Sequence, residues 1–229
     1  MVLRSRDGAS RRRLLLLNAL LVASALVTAV VVARVAVTRT DGTAGLAWNL
    51  FLAWIPFLLA LWIYDAARRS ASAWTLAALG ALWLLFLPNA PYIVTDFKWL
   101  RHMEPTYWFD PLTIGAAAAL GLVLGFVSVY LVQAVVSARL GRAAGWATAL
   151  GALVLSGVGV YLGRFQRWNS WEAVTEPSKI FGGLARGVLD PLAHAEPLAL
   201  SAFFAVAWCG GYALFYSVFR PHLHRLEDR

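Results

Sequence analysis

The chain has 229 residues, of which 60% are hydrophobic and 14% charged, and it carries a formal charge of +8. A soluble domain is about 25% charged, and uncharged runs long enough to cross a bilayer recur along this chain, so a water-soluble fold is excluded. The positive charge sits mostly at loop ends and in the first tail, where it sets membrane orientation and does not argue for a nucleic-acid partner.

Six spans are predicted: 14–37, 46–64, 72–87, 111–137, 143–163 and 198–219. They form one membrane domain over 14–219, between a basic tail at 1–13 and a second tail at 220–229. The expected fold is all-α, a polytopic membrane helical bundle of about six transmembrane helices, with a short interfacial helix between the third and fourth.

Before the first span, SRRRLLLL from Ser10 has the look of a twin-arginine export signal. A signal peptide has a shorter apolar stretch of roughly 7–15 residues followed by a small-x-small cleavage site. Here the apolar run is 20 residues and the only such triplet, Ala23–Ser24–Ala25, lies inside it. The expected role is an anchor with its arginines in the cytoplasm. In the second span, Pro56 is expected to introduce a kink.

The third span ends in PNAPYIVTDFKWL, where Pro88 and Pro91 stop the helix. The span looks short until residues 90–94 are added. Beyond it, Ile93, Phe97 and Leu100 share one helical face and Thr95, Lys98 and His102 the other. This predicts a short amphipathic helix in the outer interface, with Thr95 as its cap and Asp96 in its first turn. A re-entrant hairpin is the competing geometry, and it needs shelter from other helices.

The loop continues through Tyr107, Trp108 and Phe109 to Asp110–Pro111, an acidic cap followed by proline that restarts a helix. Five of the eight acids on this side precede a proline, so cap and turn chemistry accounts for most of them. In the fourth span Ala117, Gly121 and Gly125 form a small-residue stripe, as do Gly159 and Gly163 in the fifth, which predicts close helix packing.

The fifth span runs out into GRFQRWNSWE, residues 163–172. At four-residue spacing Arg164 meets Trp168, Trp168 meets Glu172, and Arg167 meets Trp171. An aromatic belt with snorkelling arginines is one reading. The other is an anion site in which Arg164 and Arg167 hold a phosphate, with Asn169 and Ser170 as neutral donors. The anions available there are lipid head groups, isoprenoid phosphates and acidic cell-wall polymers.

Lys and Arg divide 12 to 8 between the two sides when the N-terminus is placed inside, and the acids divide 4 to 8 the other way. Both termini are therefore expected in the cytoplasm, with the loops 88–110 and 164–197 outside. The single cysteine, Cys209, cannot form an internal disulfide and reads as a small apolar residue.

PNAPYIVTDF at 88–97 together with RFQRWNSWE at 164–172 resembles the bacterial membrane family of unknown function DUF1361, over about residues 46–219. The resemblance implies a multi-span protein of the bacterial cytoplasmic (inner) membrane and implies no activity. Candidate binding residues are Asn89 and Tyr92 in the first motif and Arg164, Arg167, Trp168, Asn169, Trp171 and Glu172 in the second. Asp96 is the candidate catalytic base.

No cofactor and no metal site is expected: there is no P-loop, HExxH, paired CxxC or GxSxG. No charged residue lies mid-span, which argues against a proton-coupled transporter. The leading expectation is a non-catalytic accessory protein that binds a lipid or a protein partner on its outer face. An interfacial enzyme acting on a phosphate-bearing lipid or isoprenoid is the alternative, followed by a transporter of lipid or neutral solute.

Overall fold

In hydrocarbon, backbone N–H and C=O groups have no water to bond, so a chain this apolar crosses as helices. The computed structural model describes residues 3–38, 44–102, 109–165, 175, 176, 178 and 195–227. Among these there is no strand. The elements are α1 (Leu3–Thr38), α2 (Ala44–Arg68), α3 (Ala73–Phe86), α4 (Asn89–Tyr92), a 3-10 helix (Ile93–His102), α5 (Phe109–Leu140), α6 (Arg142–Phe165) and α7 (Ala195–Glu227).

Six stretches are long and apolar enough to span, and they coincide with the six expected spans to within a few residues at all but one boundary. The exception is the third, which extends to Phe97. The protein is a multi-pass membrane protein with a helical-bundle fold.

α5 is the centre of the bundle, with 56% of its most apolar window buried, whereas α1 is peripheral, with 6%. Two apolar clusters flank α5. One joins α1, α2 and α4 to it through Val31, Leu50, Phe57, Ala90, Ile93 and Leu124. The other joins α2, α3, α6 and α7 to it through Ala60, Trp83, Val129, Leu153, Trp208 and Tyr212. Large apolar side chains on the outside, such as Leu26, Trp62, Val206 and Leu214, are exposed and face lipid. α1 is also tied to α2 by a polar contact, Trp54 Nε1 donating to Ser24 Oγ at 3.0 Å. Pro56 lies inside α2 and is buried.

The third span explains itself by length. α3 has 14 residues, about 21 Å at 1.5 Å per residue, too short for a hydrocarbon core of about 30 Å. The remainder of the crossing is made by the turn at Leu87–Pro88, by α4 and by the start of the 3-10 helix. The two prolines interrupt the hydrogen-bond ladder without ending the helical path: Tyr92 N–H still donates to Pro88 C=O at 3.1 Å, and Ala90 N–H to Leu87 C=O at 3.1 Å.

Interrupted backbone at membrane depth needs cover from protein, and the glycine stripes supply it. A Cβ at Gly121 would sit 2.6 Å from Ala90 O and 2.8 Å from Ile93 Cδ1, and one at Gly159 would sit 2.4 Å from Pro88 Cγ. The stripes of α5 and α6 therefore receive the broken part of the third span, a more specific role than the general helix packing expected of them.

This also revises the expected surface helix. Ala90, Pro91, Ile93, Thr95 and Asp96 are buried, and Phe97 is the first exposed residue of the segment. Thr95 is not an N-cap. The backbone is already helical at Ile93, and Thr95 Oγ1 donates back to Tyr92 C=O at 2.7 Å. The helix began earlier than expected because the prolines occupy positions that helical φ tolerates.

Candidate functional site

Three elements bring polar side chains together at one end of the bundle. The first turns of α2 carry Asn49, the 3-10 helix carries Thr95 and Asp96, and the last turn of α6 carries Arg164. Asn49 Nδ2 donates to Asp96 Oδ2 at 2.7 Å. Arg164 Nη2 donates to Thr95 C=O at 3.0 Å, and its Nη1 stands 4.0 Å from Asp96 Oδ1. The short Asn49 bond holds the carboxylate directly, while the guanidinium adds a longer electrostatic contact. Arg164 thereby ties the end of α6 to the backbone of the 3-10 helix.

A second pair closes the same end. Arg34 Nε and Nη2 donate to the two oxygens of Asp110 at 2.5 and 2.8 Å. The side chains are 5% and 0% exposed. This is a bidentate fork of the kind that arginine forms with carboxylates. It joins peripheral α1 to the start of central α5. Asp110 was expected to cap α5; instead it lies in the helix's first turn, with its carboxylate turned across to another helix.

The sequence-predicted residues divide three ways. Asp96 and Arg164 are brought together. Asn89 and Tyr92 are turned into the fold: Asn89 Nδ2 donates to Phe86 C=O at 2.9 Å, satisfying a carbonyl at the end of α3, and Tyr92 is half-buried against the larger apolar cluster. Arg167, Trp168, Asn169, Trp171 and Glu172 lie outside the described residues.

Asn49 and Arg34 were not singled out from sequence as site residues, and Asp110 was read only as a cap. The signal for Arg34 was present: an arginine just inside the end of a long apolar run must find a partner. Asn49, one amide at the entrance of a span, carried no comparable signal.

Chemically, the cluster is built from groups that satisfy one another. Asp96 is 5% exposed and its oxygens face an amide donor and a guanidinium. A general base needs reach to a substrate proton, and here the approach is taken by protein donors. Among the described residues no three His, Cys, Asp or Glu side chains converge as a metal site.

The comparisons with known proteins agree with the sequence motifs. The family described as Protein of unknown function (DUF1361) matches residues 48–209, which include the whole broken third span, Asp96, Asp110 and Arg164 but not Arg34. No curated protein and no solved structure matches the chain.

Proposed function

Because the chain belongs to the DUF1361 family, whose description assigns no activity, we propose a function from its own residues: a non-catalytic accessory membrane protein that binds a lipid or protein partner at the Asp96 end. The observation that carries this reading is the engagement of the charged groups there. Asp96 is held by Asn49, Arg164 by Thr95 C=O, and Arg34 and Asp110 by each other. Groups used this way position backbone and do not turn over substrate. What they position are the roots of two stretches that carry aromatic residues, Tyr107 and Trp108 in 103–108 following the 3-10 helix and Trp168 and Trp171 in 166–174 following α6. Trp and Tyr on a fixed base are the usual anchors of recognition at a membrane surface.

The proposal places the protein in the bacterial inner membrane with both termini in the cytoplasm, and the Asp96 end facing out. The bias of Lys and Arg toward the opposite loops and tails supports that orientation.

Asn49→Ala, Asp96→Asn and the double variant separate the positioning role from a catalytic one. Removing a hydrogen bond to a buried charge costs about 1.5–3 kcal/mol. Both single variants are expected to lower the melting temperature in detergent, and the double variant to fall no further than the worse single one, since they break the same contact. An Asp96→Asn protein that melts like wild type but loses a cellular phenotype would instead favour the enzyme acting on a phosphate-bearing lipid.

The interrupted third span favours a carrier as the second reading, since broken helices commonly form substrate sites near the bilayer midplane. It requires residues 88–93 to change accessibility during transport. Cysteine probes at those positions that stay unreactive under all conditions would count against it.

A further inference from the structure

A cleft lies at the end of the bundle away from Asp96. It has a volume of about 630 Å³ and is bounded by the C-terminal turns of α2 and α5, the start of α6 and Tyr216 of α7. Among the described residues its lining includes Arg68, Arg139 and Arg142 and no Asp or Glu. None of the three arginines is paired with a carboxylate among the described residues. Arg68 lies 5.9 Å from the centroid of the Tyr64 ring. Arg139 makes long contacts, 3.3 and 3.5 Å, to the carbonyls of Ala71 and Ala67. All three are exposed.

The floor is polar as well. Gln133 is buried at 4% exposure and lines the cleft. Its Oε1 accepts the hydroxyl of Tyr212, which fixes the amide orientation and leaves the Nε2 donor pair without a partner among the described residues. Trp146 and Tyr216, in edge contact at 4.8 Å, form part of the wall.

Helix dipoles explain why Arg68 and Arg139 sit in the last turns of α2 and α5. They do not explain a cleft, nor an amide at its base whose nitrogen has no acceptor among the described residues. Cations at a rim, a neutral donor at the base and aromatic walls suit an anion carried on an organic body. The volume falls within the range of about 300–1,000 Å³ usual for small-molecule sites.

We propose that this cleft binds a phosphate group, with Arg68, Arg139 and Arg142 on its oxygens and Gln133 Nε2 donating from below. A lipid head group and a soluble phosphate ester share this chemistry. The site is distinct from the Asp96 end and does not rest on the function proposed for it.

The test uses the full chain in phosphatidylcholine nanodiscs. Two probes are added separately, phosphatidic acid in the bilayer and pyrophosphate in the buffer, with binding read by native mass spectrometry and by thermal shift. Wild type is expected to bind at least one probe, and Arg68→Gln/Arg139→Gln/Arg142→Gln to bind it at least about tenfold more weakly, as expected when charge-assisted contacts are lost. Phosphatidic acid alone identifies the lipid source, and pyrophosphate binding or competition identifies the soluble one.

Ala138→Trp provides a variant that keeps every arginine. Ala138 is exposed and lines the cleft, so the indole fills the space and binding is expected to fall while the melting temperature holds. Arg11→Gln/Arg12→Gln/Arg13→Gln removes the same charge from α1 and is expected to leave binding intact. Binding of neither probe by wild type overturns the proposal. So does undiminished binding in both cleft variants, or an equal loss in the α1 control.

Discussion

Arg34 and Asp110 form the contact on which most depends. Each is buried, and removing either member takes the bidentate partner away from the other's charge. Breaking a buried pair from one side costs about 3–5 kcal/mol, whereas replacing both members with apolar residues of similar size is often neutral. Asp110→Asn and Arg34→Met are therefore each expected to reduce folded yield and melting temperature sharply, while Arg34→Met/Asp110→Leu recovers most of the loss. Fluorescence-detected size exclusion of detergent extracts reads all three. A double variant as poor as the singles would mean that the pair does more than neutralise itself, for example by fixing the angle at which α1 joins α5. The residues were legible in part. Arg34 was conspicuous as a charge at the margin of an apolar run, but nothing in a single sequence connects it to Asp110, 76 positions away. Asp110 stands before a proline, and that local pattern has a complete local explanation, which hid the tertiary one.

The third span shows how one element is assembled from pieces that are each inadequate. α3 is too short, α4 has four residues, and a 3-10 helix is a poor membrane element because its hydrogen bonds are strained. They work together because Gly121, Gly125 and Gly159 let α5 and α6 come within contact of the interrupted backbone. This makes a sharp contrast among glycines. Gly121→Ala forces a methyl against Ala90 O and Ile93 and is expected to destabilise by about 1–3 kcal/mol, as overpacking does. Gly80→Ala and Gly151→Ala meet nothing within 4 Å and are expected to be neutral or to stabilise by up to about 1 kcal/mol through helix propensity. Thermal melts of the three proteins check the ranking, and a Gly121→Ala protein as stable as Gly80→Ala would remove the glycine stripe as the cover for the break. From sequence, the prolines, the shortness of α3 and the stripes were each visible. Their meeting was not, because it pairs residues 88–93 with 121 and 159, and periodicity reports only which face is small and not what lies against it. The same limit produced the misplaced Thr95 cap: local cap preference was read without the burial of Ile93 and Asp96, which draws the helix start inward.

The six spans were legible to within a few residues at every boundary but the end of the third, because hydrocarbon thickness fixes helix length and charge cannot lie in the path. The two ends of the resulting bundle differ in kind. At one, described charges pair with one another; at the other, three arginines line a cleft whose lining among the described residues holds no acid. A surplus of Lys and Arg is what the cytoplasmic side of a membrane selects, since translocating it against the membrane potential is costly. The proposed orientation is thus supported by the arginines around this cleft as well as by the count of charge along the chain. Lys98 belongs to the Asp96 end, where the Arg164 bond to Thr95 C=O brings the end of α6 beside the 3-10 helix, and Asn169 follows Arg164 by five residues in the chain. Arg69 and Leu140, both exposed, follow α2 and end α5 at the other. Single cysteines at these four positions, in a Cys209→Ala background that leaves no other thiol, test this directly. A membrane-impermeant maleimide on intact cells is expected to label Lys98→Cys and Asn169→Cys at once, and Arg69→Cys and Leu140→Cys only after the membrane is opened. The reverse pattern would keep the fold and invert the protein, moving the arginine cleft to the outer surface. Labelling of Lys98→Cys and Asn169→Cys from opposite sides would break the bundle itself, since no arrangement with those residues apart allows Arg164 to reach Thr95.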